Sequence, residues 1–370
     1  MAIKHQDSEL STAQVGTTSE EAGNRAAGSD KPVIAGFPRA LYIELTDSCN
    51  LACPMCRSAH FKGDVLPIET FKKIADTLFP HARFVDLRGW GESTILPDFE
   101  AYLDIAMQYP PRLKLITNGV INKPRLWERL AREGVLVGIS FDAADNDLFE
   151  VIRGGSRQEQ VLRNLDRMIA ASLASGHDPR EQFYFCITVS GHNVGQLGRI
   201  IRLGNRHGVC RFKLEPLWAP EGDPMRLEVH RGHVVEAMSE LDALADQLGV
   251  LIEYSASLLD ETTYLPAVRK VCNHPWDYCY INCRGRIGFC DHLNGREEFT
   301  FGRWGDEDFM AFWNGREMTE LRSQHLRRLG GEAITKCGDC NWCYDRRYMD
   351  LEDLIEPGWG DFRVAAGRSR

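Results

Sequence analysis

The stretch Cys49-Asn50-Leu51-Ala52-Cys53-Pro54-Met55-Cys56 stands just after the run Leu41-Tyr42-Ile43-Glu44-Leu45-Thr46. The run, rich in apolar and β-forming residues, reads as a strand, and the cysteines as the loop that follows it. Three thiolates at C-x3-C-x2-C spacing can hold three irons of a 4Fe-4S cluster and leave the fourth iron without a protein ligand. Such an open iron can chelate the amino and carboxylate groups of S-adenosylmethionine (SAM), pass an electron to its sulfonium and release a carbon radical. The competing chemistry is a zinc knuckle, which needs a fourth Cys or His close by; His60, four residues past Cys56, is the candidate.

The chain beyond the loop reads as a barrel. Ile68, Phe71, Ile74, Ala75 and Leu78 recur at helical spacing, and residues 84–87 form the next short apolar run. Strand-like runs continue at 113–117, 135–141, 183–189 and 211–214. Helix patterns at 96–107, 123–132, 160–172 and 194–207 separate them. Strands alternating with helices predict a parallel sheet, and six such strands predict an α/β fold of the partial (β/α)6 TIM-like type, with its site at the C-terminal strand ends. A further helix at 232–248 and an edge strand at 251–254 follow a proline-rich connection.

This combination resembles the radical SAM superfamily, and the resemblance implies roles for particular residues. Cys49, Cys53 and Cys56 would ligate the cluster, and Met55 would lie near adenine. Arg88-Gly89-Trp90-Gly91-Glu92 looks like the G-G-E motif with Trp90 in place of one glycine. Gly91 would let the backbone approach the SAM amino group, and Glu92 would accept its hydrogen bond. Asn118, Ser140 and Asp142 stand at strand ends that commonly face SAM; a turn at Asn118 and a helix N-cap at Asp142 are the plain alternatives. Arg153, before Gly154-Gly155, would pair with the SAM carboxylate. Glu215 ends the last strand and faces either substrate or solvent. Arg153 and Glu215 are the candidate catalytic residues.

A second cysteine-rich region starts at Cys272. Cys272, Gly285 and Cys290 stand at C-x12-G-x4-C, a hairpin pattern, and Cys337-Gly338-Asp339-Cys340 supplies two more thiolates. Four thiolates can close an iron-sulfur cluster completely. The pattern resembles the SPASM and twitch extensions of the same superfamily, with spacing nearest the shorter twitch form of sugar and aminocyclitol dehydrogenases. Cys279, Cys283 and Cys343 are additional or alternative ligands, or hydrogen donors to a substrate radical; Cys186 and Cys210 read as buried, inert thiols.

The expected organisation is a tail over 1–35, a barrel over 36–225, a helical connection over 226–270, an auxiliary iron-sulfur domain over 271–345 and a second tail over 346–370. Lys and Arg total 44 against 53 Asp and Glu, a net charge of -9 that argues against coating nucleic acid. No apolar run approaches a membrane span of roughly 18 residues. Seven of the 12 cysteines fall in the last hundred residues, which suits clusters better than disulfides and points to a reducing cytoplasm. The resemblance implies SAM, two or more 4Fe-4S clusters and a reducing partner such as flavodoxin or ferredoxin. It further implies oxidation of a secondary alcohol on a sugar or aminocyclitol in antibiotic biosynthesis, with the auxiliary cluster as electron acceptor. Epimerisation through a thiol, decarboxylation or dehydration of a sugar, and peptide modification are the alternative outcomes; a noncatalytic iron-sulfur or zinc scaffold is the alternative of another class.

Overall fold

In the computed structural model, residues 31–56, 63–217, 219–254, 274–290, 299–328 and 337 are described. Seven strands run parallel in chain order: β1 (Ala40–Ile43), β2 (Phe84–Asp86), β3 (Arg112–Thr117), β4 (Leu136–Ser140), β5 (Phe183–Val189), β6 (Arg211–Pro216) and β7 (Leu251–Tyr254). Helices α1 (Ile68–Leu78), α2 (Phe99–Ala106), α3 (Pro124–Arg132), α4 (Asn146–Ile152), α5 (Gln158–Ala174), α6 (Leu197–Arg206) and α7 (Arg231–Leu248) fill the crossovers. In α1 the predicted positions Phe71, Ile74, Ala75 and Leu78 are the buried ones, so its apolar stripe lies against the sheet.

Alternation along the strands separates two environments. Leu41, Val85 and Leu113 are register partners and belong to the main core, together with Val137, Ile139, Phe185 and Leu214. Their neighbours face the other way. Tyr42, Asp86 and Lys114 form one cross-strand row, and Ser140, Cys186, Lys213 and Glu253 form another. A charged residue inside an apolar strand is costly unless paired, and here Asp86 Oδ2 lies 3.0 Å from Arg88 Nε and 3.7 Å from Lys114 Nζ.

The cysteine-rich region departs from the expected separate unit. Strand β8 (Tyr278–Ile281) pairs parallel with β1, with Cys279 opposite Leu41. β9 (Arg286–Gly288) and β10 (Thr300–Arg303) follow antiparallel, so one ten-stranded sheet runs β10-β9-β8-β1-β2-β3-β4-β5-β6-β7. Within the expected connection over 226–270, residues 251–254 form the expected edge strand, since β7 pairs with β6. After β10 the chain forms two helices with a break between them, α8 (Phe309–Trp313) and α9 (Arg316–Arg328). At the break Asn314 turns its side chain to the backbone of Ile34, accepting from its N–H at 3.0 Å and donating to its carbonyl at 2.8 Å.

Candidate active site

Strand β1 ends early because the chain peels away after Ile43. Glu44 N–H donates to the Ile281 carbonyl at 2.9 Å, Leu66 N–H to the Leu45 carbonyl at 2.8 Å, and Thr46 bridges Val65. This delivers the cysteine loop to the C-terminal ends of the strands, where three neighbours hold it. Glu92 N–H donates to the Ser48 carbonyl at 2.7 Å. Gly91 makes that approach possible, for a Cβ there would stand 2.3 Å from Ser48 O and 2.5 Å from Thr46 O. Asn118 Nδ2 donates to Asn50 Oδ1 at 2.8 Å. Gly154, with φ of +54°, lies so close to Ala52 that a Cβ would stand 2.5 Å from its carbonyl carbon.

Cys49, Cys53 and Cys56 line one cavity of about 370 Å³. Met55, Gly91, Glu92, Asn118, Ser140, Arg153 and Glu215 line it too, so most of the predicted residues meet there. Burial pushes the Cys49 and Cys53 thiols up; the Leu51 N–H at Cys49 and the Arg153 guanidinium at both work against this. A cysteine-only, loop-borne donor set opening on a cavity with a cation beside it fits an iron-sulfur cluster bound as thiolates.

Two carboxylates have duties other than those expected. Glu92 is buried, accepting from Thr94 N at 3.3 Å, Thr94 Oγ1 at 2.5 Å, Thr117 Oγ1 at 2.8 Å and Asn118 N at 2.7 Å. It thereby joins the β2 loop to the end of β3 while keeping a place on the cavity wall. Asp142 is a correction. It is not a cavity-lining group but is 1% exposed, accepting from Thr188 N at 2.7 Å and pairing with Arg153 Nη1 at 3.1 Å. Burial pushes the Asp142 carboxyl up, against Arg153 and the Thr188 N–H. Burial also opposes the charge on Arg153, but Asp142 and then the three loop thiols outweigh it and hold its pKa up. Asp142 is a positioning residue for Arg153. Asp142→Ala strands a buried guanidinium and is expected to cost about 3–5 kcal/mol in urea unfolding; a loss under about 1 kcal/mol, as for exposed pairs, would contradict the assignment.

Other functional candidates escaped the sequence reading. Cys186, expected to be inert, is half-buried and lines the cavity, its thiol pushed up to about 12 by burial. Glu44 is 2% exposed; its Oε1 accepts from Trp90 N at 2.8 Å and its Oε2 from Cys283 N at 3.1 Å. It couples the Gly91 loop to the cysteine-rich hairpin. Burial raises its pKa, and the Trp90 and Cys283 N–H groups oppose the rise. Lys213, Asp86 and Lys114 were legible only as charges interrupting apolar strands, and Arg88 only as the residue that opens the Arg88–Glu92 motif.

In the second cysteine-rich region Cys290 and Cys337 are buried, with Cys290 Sγ 3.7 Å from His274 Nδ1. Cys272, Cys340 and Cys343 lie outside the described residues. Cys279, expected as an additional ligand or hydrogen donor, is fully buried in the main core, and burial alone drives its thiol pKa far up, the environment of a packing residue. Cys283 is buried beside Glu44, and burial, then Glu44 and Asp47, raise its pKa.

Comparison with known proteins agrees with this geometry. Residues 43–203 match the radical SAM superfamily, and residues 272–341 match the SPASM iron-sulfur cluster-binding domain. A Pyrococcus furiosus protein described as a tungsten-containing aldehyde ferredoxin oxidoreductase cofactor-modifying protein is 35% identical over 319 residues, 81% of this chain and 86% of the relative. The mycofactocin maturase MftC of Mycobacterium ulcerans is 34% identical over 174 residues, 46% of this chain but only 45% of that relative. The chain thus matches less than half the length of the maturase. Streptococcus suis SuiB, solved bound to its precursor peptide SuiA, superposes with a TM-score of 0.64 at 15% identity, covering 95% of this chain and 81% of SuiB. These matches imply SAM, a 4Fe-4S cluster and auxiliary iron-sulfur ligation. Among the described residues no helix is long and apolar enough to cross a membrane. Cysteine spacing, strand order, cavity and matches agree: the chain belongs to the radical SAM superfamily and carries a SPASM-type iron-sulfur domain after its barrel.

Proposed function

We propose that this enzyme modifies a peptide by removing a hydrogen atom from one of its side chains. The observation that carries the radical chemistry is the shared cavity of Cys49, Cys53, Cys56 and the strand-end residues. When bound to these cysteines, a 4Fe-4S cluster supplies the electron that splits SAM into methionine and a deoxyadenosyl radical. The chain's own residues would orient the reactants: Arg153, fixed by Asp142, would hold the SAM carboxylate, and Met55 and Ser140 would hold the nucleoside. Gly91 would admit the SAM amino group to the loop backbone, and Glu215 would meet the substrate. A flavodoxin or ferredoxin serves as reductant.

The peptide class rests on the relatives, one named as a maturase and another solved with a precursor peptide. They support it over the sugar or aminocyclitol oxidation that the resemblance to twitch-type dehydrogenases implies. Cys186 favours a second outcome at the same carbon, because a protonated thiol lines the cavity. Its S–H bond breaks as a new C–H bond forms on the substrate radical; the sulfur radical then takes one electron from the external reductant and a proton from water, for a redox-neutral change.

One experiment in heavy water separates these readings. Anaerobic enzyme with SAM and dithionite is given a pool of synthetic peptides or a pool of sugars and aminocyclitols. Peptides are expected to raise deoxyadenosine formation by about tenfold or more, equivalent to roughly 1.4 kcal/mol of barrier, and one peptide to change mass. A loss of two mass units marks oxidation, whereas one stable deuterium that disappears in Cys186→Ser marks hydrogen return. Stimulation by the sugar pool alone would overturn the peptide reading.

A further inference from the structure

Two cations line the cavity apart from Arg153, and the established cofactors leave them without a task. Lys213 on β6 has a side chain only 10% exposed, with Nζ 3.0 Å from Glu215 Oε1. Its partner is 46% exposed at the cavity mouth. One carboxylate paired with this nearly buried ammonium therefore reaches solvent, and a substrate carboxylate can take its place without stranding a second buried charge. Arg88, after β2, is 20% exposed; Asp86 Oδ2 holds its Nε at 3.0 Å, and its guanidinium stacks 4.8 Å over the Tyr42 ring. Fixed from two directions, the planar fork has lost most of its rotamer freedom before any ligand arrives.

The two groups converge although their strands are far apart in the sheet. Both line the cavity with the cluster cysteines, and Lys213, Glu215 and Arg88 are the charged groups that act most on the Cys186 thiol, followed by Lys114. Ile116 and Ile187 supply apolar wall to the same cavity. Cations set in a partly apolar cavity suit an acid whose carboxylate is gripped while its carbon chain lies along the wall.

We propose that Lys213 and Arg88 form an anion anchor that selects a substrate bearing a carboxylate and holds that group in the barrel, with Glu215 displaced outward. This names the substrate class for the function proposed above and rests on that reading only for the carboxylate's being carried by a peptide. A purely structural ion-pair network is the competing account, and it predicts no preference between acid and amide.

The test uses the reconstituted, SAM-loaded enzyme and calorimetric titration of matched probes: acetyl-Gly-Asp-Gly-amide against acetyl-Gly-Asn-Gly-amide, and glutarate against glutaramide. Each acid is expected to bind about tenfold or more tighter than its amide, because charge-assisted hydrogen bonds to Arg and Lys are lost in the amide. Lys213→Met and Arg88→Met should each erase most of the preference, Lys213→Arg should keep it, and SAM affinity should stay unchanged in all three. Equal binding of acid and amide, or a preference that survives both methionine variants, overturns the anchor. Weakening of SAM binding by the same factor in Lys213→Met also overturns it, by assigning the lysine to the cofactor. Binding of glutarate but of neither peptide keeps the anchor and sinks the peptide reading; peptides bound without acid preference do the reverse. Iron content and circular dichroism of Lys213→Arg serve as the folding control.

Discussion

Alanine at Cys49, Cys53 and Cys56 together is expected to abolish deoxyadenosine formation while leaving iron on the SPASM-type domain. The two sites draw on separate thiols, and of the auxiliary set Cys290 and Cys337 are buried on the far side of the chain sequence from the loop. Reconstituted wild-type enzyme should hold about eight irons, as two cubes, and the triple variant about four. A count near twelve in the wild type would bring Cys283 and Cys343 forward as ligands of a further cluster. Loss of all iron from the variant would show that the auxiliary site depends on the loop, and persistent deoxyadenosine would remove the loop cysteines from the chemistry.

Gly91→Ala is the second large effect. The added methyl group would stand 2.3 Å from the Ser48 carbonyl oxygen, 2.5 Å from the Thr46 carbonyl oxygen and 2.8 Å from the Asp47 carbonyl carbon. All three are backbone atoms of the segment that carries Cys49, so the clash cannot be relieved by turning a side chain. Either the cysteine loop or the Gly91–Glu92 loop must shift, and both line the cavity. A displacement of about 1 Å in positioning elements can cost on the order of a hundredfold in rate. We expect that loss in SAM cleavage with little change in the unfolding midpoint; full activity would mean that the close approach has no bearing on catalysis.

Much of this site could be read before the fold was in view. The cysteine spacing announced an open cluster because a thiolate count limits what a loop can ligate. The alternation of short apolar runs with amphipathic helices located each strand to within a few residues. Glu92, Asn118, Ser140 and Glu215 stand at or beyond strand ends and were candidates by position, Met55 and Arg153 through the family resemblance, and all six share one cavity.

What stayed hidden depends on long-range pairing. Asp142 had the right residue type and place for a cofactor contact, yet its partners are Thr188 and Arg153, which only the packed barrel brings together. Glu44 looked like one polar residue in a strand; its partners Trp90 and Cys283 lie 46 and 239 positions away. β8 was expected within a separate hairpin, because no local signal tells a strand that its neighbour will be β1. Cys186 and Cys279 both sit on strands, and which face each occupies follows from register: Cys186 lies beside Ser140 and Lys213, Cys279 opposite Leu41. Lys213 and Lys114 carried a usable signal, since charges at alternating positions of apolar strands must point at an enclosed polar space.

The proposed chemistry requires that the loop cysteines leave one iron open to SAM. Electron paramagnetic resonance of the dithionite-reduced enzyme, recorded with and without SAM, tests it most directly. SAM is expected to change the spectrum of one cluster; this responsive signal should be missing from the Cys49/Cys53/Cys56 alanine variant, and the auxiliary signal should be the same in both. A spectrum that SAM leaves unchanged in the wild type, or a SAM-responsive signal that survives in the triple variant, would contradict it.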